Sequence, residues 1–543
     1  MGSLELKDGL TPETYSVPCQ SKKLFREGII NNPLIAKSLP SGAERYAGKV
    51  KYVGSDKPSI PINWSDHAQL FIMSTLFWII DPQGEKIAVL NPKITKYFPN
   101  WDIHRQTSTP HRNSCTNIYK TKDGRCFHLH GSMNPDPSLE SIGLPHDMDA
   151  ASIEESWKPF MEKMSQIESS EMQRLASDVH KQAGTICWSK EEYLSSEHGK
   201  ANAHVGLFEI HPHPNAAQKA GWWTGSPLTS VKRPLAGLKV LDITRVIAAP
   251  AIGRGLAEMG ASVMRVTAPH LCDYSSLHCD LNWGKWNTCL DFRKEEDREK
   301  MRKLVLEADV VISGYRPGVL DKWGFGQEDI LKLCDGRERG VIYARENCYG
   351  WNGPWSYRSG WQQISDACCG VSMEFGRAMG NDEAVTPVFP NSDYCTGVAG
   401  VSGILTALLR QAEEGGSYTV DVALNYYSQW LVNSCGVYPD SVWQDVWTRN
   451  GRQVFRHYHS MSYTLPRFAK MLAENSSNTV LRDEWFETRE SKAVGAEIRC
   501  VKPILQFPGG EVKLGFNVGT RTNGVDNPRW PKDLLVEVVD ESN

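Results

Sequence analysis

The stretch from Gly237 to Thr267 limits the fold more than any other. GLKVLDI (237–243) is a short apolar run of strand length, APAIGRGLAEMG (249–260) is a small-residue helix stopped by Gly260, and ASVMRVT (261–267) is a second apolar run. ADVVISGY (308–315) and GVIYARE (340–346) add strands around the charged helix from Lys294 to Glu307. Strands alternating with helices predict an α/β core, a parallel sheet covered on both faces. Gly253, Gly255 and Gly260 do not make a dinucleotide fingerprint. They fall inside the helix instead of at the strand-to-helix turn, and no acidic residue ends the second strand.

A chain of 543 residues exceeds what one hydrophobic core holds, so two or three domains are expected. Residues 1–60, rich in Pro, Gly, Ser and Lys, read as a loosely packed arm, and Trp64 to Ile80 as a buried helix. Together with a mixed stretch to Pro110 they form a first segment, 1–110. The second, 111–233, begins with CTNIYKTKDGRCFHLHG (115–131), which alternates around Asp123-Gly124, a strong hairpin signal. Amphipathic helices follow over 152–182, and the Pro, Gly and Ser content of 211–234 reads as a linker. The α/β core spans 234–425. A last segment, 426–543, is Trp- and Arg-rich and ends in a β-looking tail over 501–516.

Ordinary apolar (40%) and charged (23%) fractions with a net charge of −4 leave no electrostatic footprint for nucleic acid. The start, MGSLELKDGL, lacks the basic and apolar regions of a secretory signal. The longest apolar run, Ala68 to Ile80, is too short to cross a bilayer, so no membrane contact is expected. Fourteen cysteines without a C-x-x-C pair imply reduced thiols and a cytoplasmic location. The H-x-H pairs at 128/130, 211/213 and 457/459 each lack a third ligand nearby, so they read as surface histidines and no metal is expected.

DYCTGVAGVSGILTALLRQ (393–411) carries the chemistry. Gly397, Gly400 and Gly403 lie on related faces of an apolar helix, where each costs about 1 kcal/mol relative to Ala. Three such glycines imply close packing. Asp393 opens the helix, where the dipole and backbone N–H groups favour its ionised form. Two readings stand at this point: a simple N-cap, or a carboxylate able to attack an acyl carbon.

Five blocks bear on the choice. PLAGLKVLDITRVIAAPAIGRGLAEMGASVMRV, NWGKWNTCLDF, GYRPGVLDKWGF, VIYARENCYGWNGPW and NSDYCTGVAGVSGILTALL run in that order and resemble the signature blocks of family III CoA-transferases. Formyl-CoA transferase, carnitine CoA-transferase and alpha-methylacyl-CoA racemase belong to that family. The resemblance covers about 234–425 and implies a Rossmann-like core that binds CoA. It implies that Asp393 is the nucleophile, with CoA contacts at Arg245, Asn282, Lys285, Arg316, Pro317, Gly318 and Lys322. It further implies acyl-CoA and a small carboxylic acid as partners, with no permanently bound cofactor. Residues 115–131 and 184–210 resemble the family's later portion, which normally follows the core, so the order is inverted as in fungal members with a two-part layout. Because family subunits interlace, the chain is expected to form a homodimer or an intrachain pseudo-dimer.

The departures are also informative. Where the racemase has a His opposite the Asp, SGWQQISDACCG places Trp361, whose indole exchanges no proton at neutral pH. The neighbouring acidic position is Gln362, a hydrogen-bond donor but no base, and Asp366 follows one turn later. Trp286 replaces a cation of the N-x-G-K-R block. The expected activity is therefore CoA transfer through an aspartyl-CoA thioester on Asp393, with Gln362 assisting. An acyl-CoA racemase or isomerase, or a non-catalytic CoA-binding remnant, are the alternatives.

Overall fold

The computed structural model describes residues 10–53, 57–58, 71–72, 76–89, 91–475 and 479–537. Among the described residues fourteen strands follow in order: β1 (Trp78–Ile80), β2 (Lys86–Ala88), β3 (Asn117–Lys120), β4 (Cys126–Leu129), β5 (Gly184–Ile186), β6 (Glu209–His213), β7 (Lys239–Ile243), β8 (Ser262–Thr267), β9 (Lys285–Cys289), β10 (Val310–Ser313), β11 (Ile342–Asn347), β12 (Ser417–Ala423), β13 (Phe486–Ser491) and β14 (Ala496–Val501). Seven form the central sheet in the order β6-β12-β11-β10-β7-β8-β9, parallel throughout except for β6, which runs antiparallel along β12. The sheet is buried on both faces. Val240, Val263 and Ile342 point to one side, against Ile252, Leu256 and Ile404 of two helices. Leu241, Met264 and Tyr343 point to the other, against Met301, Leu304 and Val305 of the helix Glu295–Glu307. Alternation of side chains along each strand thus supplies two apolar layers, as an α/β core requires.

The helix Asn391–Glu414 lies across the helix Ala248–Glu258, and glycine permits the approach. A Cβ on Gly397 would stand 2.6 Å from the Ala251 Cβ and 3.1 Å from the Ala248 carbonyl oxygen. One on Gly400 would stand 2.5 Å from Ile252, and one on Gly403 2.6 Å from Val420. The close packing implied by the three glycines is therefore present, and it fixes the start of the long helix over the sheet.

The remaining segments are woven into this core. The hairpin β3–β4 has the expected register, Asn117 opposite Leu129 and Lys120 opposite Cys126, and β5 adds a third strand. β6 begins two residues before the expected linker and runs into it: residues 209–213 hydrogen-bond to β12 because its edge would otherwise stay unpaired. The expected helix over Trp64–Ile80 lies partly outside the described residues. Its end is strand: β1 pairs with β2 and with β14, so residues from 1–110 and 426–543 share one sheet. The β-looking tail is displaced too, with strands at 486–491 and 496–501 and none over 502–516. The described residues of the expected arm, 10–53 and 57–58, are less loose than expected. Short helices span Val17–Leu24 and Pro33–Ala36, and Tyr15 and Val17 are buried with Val442.

Candidate active site

The chain leaves β7 towards β8 and β9 on one side, and β10 leads to β11 and β12 on the other. The carboxyl ends of β7 and β10 therefore flank the topological switch point, where open α/β sheets place their ligands. Its floor is tight: a Cβ on Gly314, just after β10, would lie 2.7 Å from Ala249 and 3.3 Å from Thr244.

Five of the expected CoA contacts, Arg245, Arg316, Pro317, Gly318 and Lys322, lie around this crevice. Arg245 follows β7, donates from Nη1 to the Cys272 carbonyl at 2.7 Å and rests its guanidinium 5.4 Å from the centre of the Tyr315 ring. Arg316 follows β10, is exposed with Pro317 and Gly318, and donates to the Lys181 carbonyl at 2.7 Å. Gly318 has φ +81°, which keeps this turn tight. Burial, then repulsion from Arg293, Arg245 and Lys322, lowers the pKa of His270, so Arg245 and Lys322 share one basic neighbourhood. Among the described residues, Arg245, Arg316 and Lys322 make no ion pair with a carboxylate. Unneutralised cations at a switch point suit an anionic ligand.

Asn282 and Lys285 are not in that group. Asn282 is buried and donates to the Arg521 carbonyl at 2.7 Å. Lys285 is fully buried at the start of β9, with its ammonium 2.7 Å from both Asp242 and the Pro250 carbonyl. Burial depresses its pKa to about 8 although Asp242 pulls the other way. Both residues brace the fold, since a buried charge must find its partners inside.

Asp393 sits in the first turn of its helix but does not cap it. The N-cap is Pro390, with no side-chain cap bond. Among the described residues, the half-buried Asp393 carboxyl has neither a hydrogen bond nor an ion pair. Burial and then the neighbouring carboxyls of Glu346, near the end of β11, and Asp366 hold its pKa well above the ordinary aspartate range. This reverses the expected bias toward ionisation, because two acidic neighbours and the surrounding protein outweigh the helix dipole.

The neighbours form a small network. Ser392 donates to Asp366 Oδ1 at 2.6 Å, and Gln362 Nε2 donates to Oδ2 of the same carboxyl. Gln362 is buried and its amide hydrogen is committed to Asp366, so it holds the second carboxyl in place. Burial raises Asp366 to about 7 and Glu346 to about 8.

The family model for CoA-transferase family III matches residues 235–464. An acetyl-coenzyme A transferase, nodX, of Hypoxylon pulicicidum is 46% identical, covering 96% of this chain and 95% of that protein. The chain belongs to CoA-transferase family III. An acyl-CoA transferase of Gibberella moniliformis is 31% identical over 83% of this CoA-transferase and 79% of its own length. The human succinyl-CoA:glutarate CoA-transferase is 28% identical over only 38% of this chain and 48% of its own.

Two features of this CoA-transferase were not evident from its sequence. His128 and His130 are buried, not at the surface, because β4 is the middle strand of its sheet. His130 stacks on Trp361 with ring centres 5.7 Å apart, accepts the Ser132 N–H at Nδ1 and meets Gln363 at Nε2. The Trp361 indole donates to Ser132 Oγ at 3.1 Å. Histidine spacing i, i+2 placed both rings on one strand face, but burial depended on a partner strand distant in sequence. His457 is likewise buried. His211, by contrast, is exposed, and Glu209, His211 and Asp421 come within 4.8 Å of one another. Arg345 takes both oxygens of Asp421, at 2.6 and 2.9 Å, and Tyr426 donates to Glu209, so this trio is an ion-pair network.

Proposed function

We propose that the protein moves CoA from an acyl-CoA to a carboxylic acid acceptor through Asp393. A carboxylate oxygen of Asp393 attacks the thioester carbonyl carbon, the C–S bond breaks, and CoA leaves as its thiolate with a mixed anhydride behind. The thiolate attacks the aspartyl carbonyl carbon and expels the donor acid as carboxylate, giving an aspartyl-CoA thioester. The acceptor carboxylate then attacks that carbonyl and releases the thiolate again. Attack of the thiolate on the acceptor's acyl carbon yields the new acyl-CoA and restores Asp393. No proton is gained or lost over the cycle. The CoA phosphates would meet Arg245, Arg316 and Lys322, with Pro317 and Gly318 shaping the turn.

The observation that carries this reading is an Asp393 carboxyl with no partner of its own, set beside a switch point rimmed by unneutralised cations. Where the racemase has its His this chain has Trp361, whose indole N–H is already given to Ser132 and exchanges no proton. The protein is expected in the cytoplasm, and among the described residues no helix is long and apolar enough to cross a membrane.

Hydroxylamine tests the reading. Incubation with acyl-CoA should leave an adduct on Asp393, found by peptide mass spectrometry. Asp393→Ala should abolish the adduct and lower transfer by about a thousandfold or more, while CoA affinity changes little. An undiminished adduct in that variant refutes the assignment.

A further inference from the structure

The residues on either side of Asp393 are tied to other elements, and Asp393, among the described residues, is not. Asn391 donates to the Tyr427 hydroxyl at 3.1 Å, Ser392 to Asp366 Oδ1 at 2.6 Å, and the Tyr394 hydroxyl to Asp280 at 2.7 Å. The Ser392 bond belongs to a closed loop. Ser365 Oγ lies 2.9 Å from Ser428 Oγ, Ser428 donates to Ser392 Oγ at 3.3 Å, and Ser392 donates to Asp366, so the loop leaves the helix Gln362–Cys368 and returns to it. On the way it crosses the helix Leu424–Trp430 and the helix that carries Asp393. Ser365, Ser392, Ser428 and Asp366 are all buried, and Gln362 takes the other oxygen of the Asp366 carboxyl.

Holding three helices together does not require such a network. Apolar side chains of the same shape would serve about as well, whereas buried hydroxyls that must each find a partner fix one arrangement. What the loop adds is direction. Successive residues of a helix diverge by about 100°, so turning Ser392 onto Asp366 also sets the direction in which Asp393 leaves the helix. With no side-chain cap at its N-terminus, this helix depends on bonds of that kind to settle its first turn.

We infer that Ser392 and Asp366 are positioning residues for CoA transfer: their bond fixes the rotation of the helix start and so aims the Asp393 carboxyl at the thioester. This rests on the CoA-transferase reading, in which Asp393 is the nucleophile. A role for Asp366 as charge alone has the opposite sign, because a negative neighbour holds Asp393 protonated and its loss would speed attack.

The full-length protein is mixed with acetyl-CoA at several concentrations and quenched with hydroxylamine, and the rate of Asp393 adduct formation gives a saturating rate and a half-saturating concentration. Ser392→Ala and Asp366→Ala should each lower the saturating rate by about thirtyfold or more, since a small misplacement of a reacting group costs that much. Half-saturation should stay within about threefold, because the expected CoA contacts follow β7 and β10. The double variant should be no slower than the slower single, as two partners in one bond require. Asp366→Asn keeps an acceptor for Ser392 and should recover at least about tenfold of what Asp366→Ala loses. Melting curves show whether each variant folds, and if Asp366→Ala does not, Asp366→Leu, which fills the same space without an acceptor, takes its place. Hydrogen exchange of amides 394–397 is followed alongside, and should quicken by about tenfold or more in both variants while the helix Glu295–Glu307 is unaffected.

An adduct rate equal to or above the parent's, losses that multiply in the double variant, or a change confined to half-saturation overturns the inference and leaves the Asp393 reading standing. If the parent itself forms no adduct, the Asp393 reading is lost and exchange decides the rest: quickening confined to the helix start supports the anchoring, and unchanged exchange overturns both.

Discussion

Glu346 is the residue whose charge matters most without being a reactant. It is 9% exposed near the end of β11, and among the described residues no cation pairs with it. Burial alone moves its pKa to about 8. The folded protein therefore keeps a proton on Glu346 that the unfolded chain releases in the ordinary glutamate range. The stability this proton contributes is whole below that range and is lost as pH rises through about 8. Glu346→Gln keeps the shape and cannot ionise. Its melting temperature should fall less between pH 6.5 and 8.5 than that of the parent, by about 2 °C. As pH rises through about 8 the parent's Glu346 becomes a negative neighbour of Asp393, whose carboxylate must be ionised to attack. Glu346→Gln cannot acquire that charge, so aspartyl-thioester formation should reach its plateau at lower pH than in the parent. A plateau that stays in place would show that the group titrating in the rate is not coupled to Glu346. The place of Asp393 in the first turn of its helix was legible in the sequence, because an acid before a glycine-spaced apolar helix is a local pattern. Its protonation was not, since Glu346 and Asp366 reach it from other elements.

At the level of elements, the β-α-β pattern was readable because its strands are short apolar runs separated by a helix of different period. Lys239–Ile243, Ser262–Thr267 and Val310–Ser313 fall inside the expected runs, and Ile342–Asn347 extends one residue past its own. What misled was context. The N-W-G-K block reads as a phosphate contact, yet Lys285 begins β9 and turns inward to Asp242. Neither β6 nor β1 has a strong signal of its own, and each is defined by the edge it joins. The long helix was legible down to its glycines, which gives a sharp test. Gly397→Ala gains about 1 kcal/mol in helix propensity but pushes a methyl group onto Ala251 and the Ala248 carbonyl. Overpacking costs about 1–3 kcal/mol, and these contacts include backbone and cannot swing aside. The variant should unfold at a lower temperature in a thermal melt. Because the shifted helix carries Asp393, thioester formation should slow by about tenfold, with CoA binding affected less. A variant as stable as the parent would mean that the two helices have room to part.

Over the whole molecule, segments far apart in sequence share sheets and buried contacts. The segment 111–233 does not stand apart from the core: β6 completes the central sheet, Arg316 holds the Lys181 carbonyl, and His130 lies flat on Trp361. β14 at the other end of the chain pairs with β1 near its beginning. If one chain supplies both halves of an interlaced arrangement, a second copy is not needed to finish the site. Light scattering should then give the mass of a single chain, 60.9 kDa, at micromolar concentration. An obligate interlaced homodimer would contradict this. A stronger version uses the exposed stretch near Val231, which is 77% exposed. A protease site inserted there and cut in the folded protein should leave two fragments that co-elute and still form the Asp393 adduct. What joins them is a sheet edge and buried side chains, and the severed peptide bond contributes only the entropy of connection. Fragments that separate on cutting would show that the halves cohere only through the chain, and the pseudo-dimer would have to be abandoned.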